Sequence, residues 1–262
     1  MDEIKIRECL TIDELDHCVR LQRDVFGLPD LEISPRRHLV VSRQAGGWTL
    51  GAFTAEGRLA GFVHHLIAVR GADEIVGYSH MMAIDREYQN QGIGARLKWA
   101  QRERALADGR RFIKWTWDPL QSRNAHFNLN RLGVVVRGYA ENFYGTDYGS
   151  DPGQAEAKGL DSDRLFANWE LRSRRVNDLA NGGALETQRD AKATVEIPAD
   201  WSSLVKTDAK RARAEQLRVR ADFQQAFGAG LICAGFERRG ERPRYLLYEP
   251  ETIAASLEDA QS

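Results

Sequence analysis

The chain has little cysteine: Cys9, Cys18 and Cys233 are the only three in 262 residues, odd in number and without a Cys-x-x-Cys pair. That usage excludes a disulfide framework and suits a reducing cytosol. It also lacks a surplus of either charge, with 37 Lys+Arg against 38 Asp+Glu and a formal net charge of -1. A dedicated polyanion binder needs a basic excess, so nucleic acid is not an expected partner. No apolar run approaches the ~20 residues of a membrane helix, the best one being broken by His64 and His65. The charged opening MDEIKIREC offers no secretory signal. A cytoplasmic chain without membrane contact is the expectation. Metal-ligand spacing is missing too, because His64 and His65 are neighbours on one strand and point to opposite faces. No internal repeat is present.

What is there is globular, since 42% hydrophobic and 29% charged residues rule out disorder throughout. Ile4 and Ile6 alternate with charged neighbours as a short strand. Thr11 and Glu14 form a capping box for an amphipathic helix predicted over residues 12–25. A second short helix is expected at 35–44. Period two then governs residues 48–55, 58–69 and 74–84, an antiparallel meander with turns at Glu56-Gly57 and Gly71-Ala72-Asp73. Helical spacing returns from Gly94 to Gly109. Strand, helix and strand follow at 112–117, 124–132 and 134–139, with a further strand at 165–171. Residues 176–194 read as a polar linker. Beyond it lie a helix at about 208–227 and two strands at 230–236 and 244–248. The class is α/β (α+β).

The chemistry concentrates in GYSHMMAIDREYQNQGIGARL, residues 77–97. A strand ends at Ile84, a polar loop follows, and Gly92 and Gly94 open a helix. Glycines there let successive N–H groups converge on one point, beside the partial positive charge of a helix N-terminus, which makes an anion site. A plain tight turn into a helix would use the same residues. A dinucleotide fingerprint fails because Leu97 stands where its third glycine belongs, and a P-loop fails for want of Gly-Lys-Ser/Thr. Gly77-Tyr78-Ser79-His80-Met81 falls short of a hydrolase nucleophile elbow at Met81.

Gln89-Asn90-Gln91-Gly92-Ile93-Gly94 resembles the Q/R-x-x-G-x-G/A pyrophosphate loop of the GNAT acyltransferase superfamily. Its context is similar: an apolar fourth strand, the Asp85-Arg86-Glu87-Tyr88 approach, a fifth strand, an Asn-led helix and Leu132-Gly133 near that helix's end. The resemblance covers residues 4 to about 171, and the remainder resembles the C-terminal extension of one bacterial GNAT subgroup. It implies a GNAT fold, a central mixed and mostly antiparallel sheet flanked by helices, with a catalytic domain over 1–172. A smaller α+β extension, 173–262, would shape the acceptor site. The implied activity is N-acyl transfer from acetyl-CoA or another acyl-CoA, succinyl-CoA included, to the amine of a small molecule such as an amino acid, with no metal. A homodimer is one assembly compatible with it.

The resemblance also distributes roles. The amides of Asn90, Gln91, Gly92, Ile93, Gly94 and Ala95, with the Gln89 side chain, would hold the pyrophosphate. The main chain at Met82 and Ile84 would bind the pantetheine arm, the Met82 N–H would face the thioester oxygen, and Asn124 would reach the CoA arm. The strand-four glutamate common in such enzymes falls at Tyr78. His80 shares its parity and, with an ordinary pKa of about 6.5, suits a general base; a hydrogen-bonded structural histidine is the competing reading. The usual tyrosine acid falls at Leu129, which leaves Tyr144, and less readily Tyr139, to protonate the thiolate. No Cys or Ser sits in a nucleophile context, so transfer is direct. Arg20, Arg23, Arg36 and Arg37 flank the loop that walls the acceptor site in GNAT folds and could hold a carboxylate. Two rivals stand beside this reading. One is a non-catalytic acyl-CoA-binding regulator. The other is an RNA- or protein-directed acetyltransferase using the helix 208–227, where residues 206–220 hold six basic residues and two acidic ones and whose bland reading is a solvated helix face.

Overall fold

Thr11 accepts a hydrogen bond from the Glu14 N–H, and the Glu14 carboxylate accepts from the N–H groups of Leu10 and Thr11, so the capping box closes as its spacing dictates. Helix α1, Ile12–Phe26, runs from that cap to Gly27, whose left-handed φ of 62° ends it. In the computed structural model residues 3–146, 159–185, 190–238 and 242–260 are described. They fall into two compact units, one up to Ile113 and one from Lys114 onward.

In the first unit, β1 (Lys5–Glu8), β2 (Trp48–Phe53), β3 (Leu59–Arg70) and β4 (Glu74–Ile84) form an antiparallel sheet in sequence order. α1 and α2 (Arg36–Gln44) cover one face, where Leu15, Cys18, Leu39, Phe62 and Ala83 share a core. Leu15, Leu39 and Phe62 each contribute on the order of 1.5–3 kcal/mol by leaving water. Helix α3, Ile93–Ala107, covers the opposite face, burying Leu97 and Ala105.

The strand register carries one irregularity. His64 pairs with Met81 but His65 pairs with Ser79, so His80 is an extra residue, a β-bulge in β4. Alternation resumes on either side of it. Ser79 and Met82 face α3, while Met81 packs with the α1 and α2 core. His80 shares the Met81 side, its ring meeting His38 of α2 and His64.

Strand β5, Phe112–Trp117, spans the division between the units. The second unit holds α4 (Ser122–His126), a π turn at Phe127–Arg131, β6 (Val135–Ala140) and β7 (Arg164–Glu170). It continues with α5 (Arg174–Ala180), β8 (Ala193–Glu196), α6 (Trp201–Thr207), α7 (Ala209–Gly228), β9 (Ile232–Glu237), β10 (Arg244–Tyr248) and α8 (Pro250–Leu257). Its strand order is β5-β7-β6-β9-β10-β8. The linker expected at 176–194 is partly structured: α5 occupies its start and β8 its end, while residues 186–189 lie outside those described. Val176, fully buried, pins α5 to the core and overrides the polar sequence around it.

Strands from after residue 172 are integral to this sheet. Val136 of β6 pairs with Cys233 of β9, and Tyr245 of β10 donates from its hydroxyl to Pro119 O at 2.7 Å. Arg220 of α7 binds Asp161, Asp163 and Glu141 at 2.6, 2.8 and 3.0 Å.

Candidate active site

The loop from Ile84 to α3 is shaped by its own backbone and side-chain amides. Asp85 accepts the Glu87 N–H at 3.1 Å and caps a short 3-10 turn. Asn90 at φ 63° and Gly92 at φ 79° take left-handed conformations, which Asn tolerates and Gly adopts freely. The Gln89 side chain donates to Ile84 O at 3.0 Å, and Gln91 donates to Glu87 O at 2.9 Å. Both carboxamide nitrogens therefore brace the loop.

Gly92 is the N-cap of α3, and neither a capping side chain nor an acidic residue sits in the helix's first turn. The N–H groups of Ile93, Gly94 and Ala95 have no acceptor within the helix. They lie at the positive end of a 15-residue helix, a setting that attracts an anion. The nearby acids Asp85 and Glu87 are both ion-paired to Arg58, each at 2.8 Å. A Cβ on Gly94 would lie 3.5 Å from Met82 Cε, ordinary contact, whereas one on Gly92 meets nothing and is opposed only by its φ. The donor set, shape and charge fit a pyrophosphate.

On the other side of β4, His80 Nε2 lies 3.3 Å from Ser34 Oγ, and its ring centre is 5.5 Å from that of His38 and 6.1 Å from that of His64. Burial, and then the neighbouring His38, push the His80 pKa down to about 4. Its own side chain still reaches the surface. His64 is fully buried between Ser42 Oγ at 3.0 Å and Thr49 Oγ1 at 2.8 Å, and burial lowers its pKa to about 3. His38 Nε2 is buried without a partner.

His65 faces α3, opposite His64, stacked on Trp48 at 4.0 Å with its pKa lowered by burial to about 2. Beside it Lys98 donates to Ser79 Oγ and Gln101 Oε1, each at 2.9 Å. Its ammonium is fully buried and held well below the ordinary lysine range by desolvation. Sequence reasoning passed over Lys98, His38 and Ser34. Lys98 had a signal, falling one residue after Leu97 on a helix whose apolar stripe is weak.

The first unit thus holds His80, Met82, Ile84 and residues 89–95, with the Met82 and Ile84 side chains beside Gly94 and the His80 ring on the opposite, α1/α2 face of β4. Asn124 and Tyr144 belong to the second unit. Asn124 is exposed on α4, and the half-exposed Tyr144 hydroxyl lies 3.4 Å from Thr116 Oγ1 with the Arg164 guanidinium 5.0 Å from its ring centre. Tyr139 donates to Asp163 Oδ2 at 2.6 Å, and burial pushes its phenol well above the usual range, so that proton is committed to a structural bond. Leu129 is fully buried. Two of the four flanking arginines are already paired, Arg23 with Asp30 at 2.9 Å and Arg36 with Asp16 at 2.8 Å. Among the described residues no group of three or more His, Cys, Asp or Glu could hold a metal, and no helix is long and apolar enough to cross a membrane.

Residues 15–133 match the Acetyltransferase (GNAT) family, and the chain continues to residue 262. Among solved structures, a GNAT-family protein from Desulfovibrio desulfuricans is similar at 14% identity, covering 64% of this chain and 99% of its own, with a TM-score of 0.52. A GNAT-family acetyltransferase from Streptococcus pneumoniae is similar at 20% identity, with 63% and 98% covered and a TM-score of 0.50. The ribosomal-protein-S18-alanine N-acetyltransferase from Escherichia coli is similar at 14% identity, with 64% and 94% covered and a TM-score of 0.50. At these identities the likeness is one of fold. No curated protein sequence matches the chain.

Proposed function

We propose that this chain, whose residues 15–133 match the Acetyltransferase (GNAT) family, acylates the amine of a small molecule such as an amino acid. The donor is acetyl-CoA or a related acyl-CoA, succinyl-CoA included. The observation that carries the reading is the uncapped N-terminus of α3 immediately after Gly92. Residues 1–172 form the catalytic domain and residues 173–262 contribute to the acceptor side. A homodimer is the assembly to test.

Acyl-CoA supplies an activated thioester to the acceptor nitrogen. The amides of residues 90–95 hold the pyrophosphate, Gln89 fixes the loop, and the main chain at Met82 and Ile84 holds the pantetheine arm, with Asn124 as a further contact. The Met82 N–H donates to the thioester oxygen. His80, neutral at pH 7, accepts the proton that becomes acidic as the nitrogen bonds to the acyl carbon. Tyr144 returns a proton to the leaving sulfur.

An RNA-directed activity is less well supported. Of the six basic residues at 206–220, Arg213, Arg218 and Arg220 are ion-paired to carboxylates at 2.6–3.0 Å, which neutralises much of the basic face.

A panel of acetyl- and succinyl-CoA against pooled amino acids and amines, read by mass spectrometry, tests the activity. Gly94→Glu serves as the control, because its carboxylate would repel the pyrophosphate from the amides. Acyl-amine formation that disappears in Gly94→Glu together with CoA binding is the expected outcome. Unchanged CoA affinity in the folded variant removes the anion site from the reading, and no product from any pair leaves a CoA-binding regulator.

A further inference from the structure

The second unit contains a cavity of about 1090 Å³ between the α4 region, α5, β9, β10 and α8. Arg175 lines it and is only 6% exposed. One guanidinium nitrogen, Nη2, donates to Ala234 O at 2.8 Å. Its Nε is buried without a partner, and no carboxylate pairs with it among the described residues. Desolvation lowers its pKa to about 10, so it remains a cation at neutral pH. A buried guanidinium without a counter-ion is costly, and an anion reaching it through the cavity would offset that cost.

Two more unpartnered polar atoms line the same cavity, His126 Nδ1 and Asn130 Oδ1, both buried. The Asn130 amide nitrogen is already committed to Phe236 O at 3.0 Å, so its oxygen is left as an acceptor in want of a donor. The π turn at Phe127–Arg131 carries Asn130, and such turns are common where a side chain is re-aimed for function. Of the acidic side chains lining the space, Glu237 is held by Arg244 at 2.7 Å, and Asp178 is the other. Arg238 adds positive charge, Arg174 is ion-paired to Glu258 at 3.8 Å, and Leu246 and Ile253 give the wall an apolar portion.

We propose that this cavity is a binding site for a small molecule carrying a carboxylate and an N–H group, an amino acid or its N-acyl derivative, with the carboxylate on Arg175 and the N–H on Asn130 Oδ1. The volume suits a ligand of that size and larger. The site is assembled wholly from the second unit and stands independently of the acyl-transfer reading.

The full chain is titrated, by calorimetry and by thermal shift, with L-leucine, N-acetyl-L-leucine, 3-methylbutylamine and inorganic phosphate. The expected result is saturable binding of one or both carboxylates, with the amine weaker by on the order of tenfold or more. Arg175→Met should abolish it. Ala255→Trp, at an exposed position of α8 that lines the cavity, should block it without touching the core, and it decides alone if Arg175→Met does not fold. CoA titration of the same variants should be unchanged, which separates failure of this site from failure of the CoA loop. Absence of binding by both carboxylates, binding that survives Ala255→Trp, or phosphate binding as tightly as the carboxylates would each overturn the proposal.

Discussion

The His80 imidazole holds a position where burial and a neighbouring ring both oppose charge. A group whose pKa falls from 6.5 to about 4 stays deprotonated, and so competent to accept a proton, until the pH drops through the lower value. If it is the base, the acid limb of kcat/KM lies near pH 4, well below the histidine norm, once titration of the amine itself is separated out. His80→Ala should then lower kcat by ~10²-fold with CoA affinity little changed. Wild-type turnover and an unaltered pH profile in the variant would sink the assignment. The sequence marked His80 by strand parity alone. It could not show Ser34, His38 and His64 around the ring, because these come from other elements, and His38 is one cause of the lowered pKa. Lys98 was hidden for a similar reason: a lysine in a helix is normally solvated, and only α3 packing on Ser79 buries it.

At the level of elements, the junction from β4 to α3 was readable because Gly92 and Gly94 lie at a strand-to-helix change of period. The structure divides their roles. Gly92 is required by its φ of 79°, whereas Gly94 has room for a methyl group. Gly92→Ala should cost about 1 kcal/mol of stability and weaken CoA binding by distorting the amides. Gly94→Ala should leave both nearly intact. Paired urea melts and CoA titrations check the contrast, and equal behaviour of the two variants would contradict it. The bulge in β4 left no trace in the sequence, since neither Gly nor Pro marks it. Helices α5, α6 and α8 were missed because they are short. Burial of Val176, Trp201 and Ile253 fixes them, rather than local propensity.

For the molecule as a whole, the composition correctly suggested folded chain on both sides of the polar stretch near 180, but not how firmly the later residues are built in. Truncation after Leu171 would strip β9 from β6, and it would remove Arg220 from Asp161, Asp163 and Glu141. It would also uncover Trp117, whose indole donates to the Tyr245 hydroxyl at 3.4 Å. Such a fragment should be insoluble or melt without cooperativity, because it exposes an unpaired strand edge and an apolar face together. A fragment ending at Leu171 that melts cooperatively near the full-length temperature would show the extension to be a separable module. The charges of α7 read first as a solvated face, and its pairing is only half local: Arg218 meets Glu215 and Asp222 on the helix itself, whereas the partners of Arg220 are remote in sequence. Asp161, Asp163 and Glu141 lie some 50 to 80 residues earlier.

The extra residue in β4 makes the sheet tolerant of a kind of change that sheets usually reject. Deleting one residue from a strand normally slides all that follows to the wrong face. Here, removing His80 would leave Ser79 opposite His65 and Met81 opposite His64, the partners they already have, and would turn an interrupted ladder into a regular one. A single-residue deletion scan along β4 should therefore find its best tolerated variant, soluble and melting cooperatively, at position 80, with stability falling as the cut moves away from the bulge and more residues change face. That variant should be inactive. A soluble but inactive variant would tie the bulge to the chemistry rather than to the stability of the sheet.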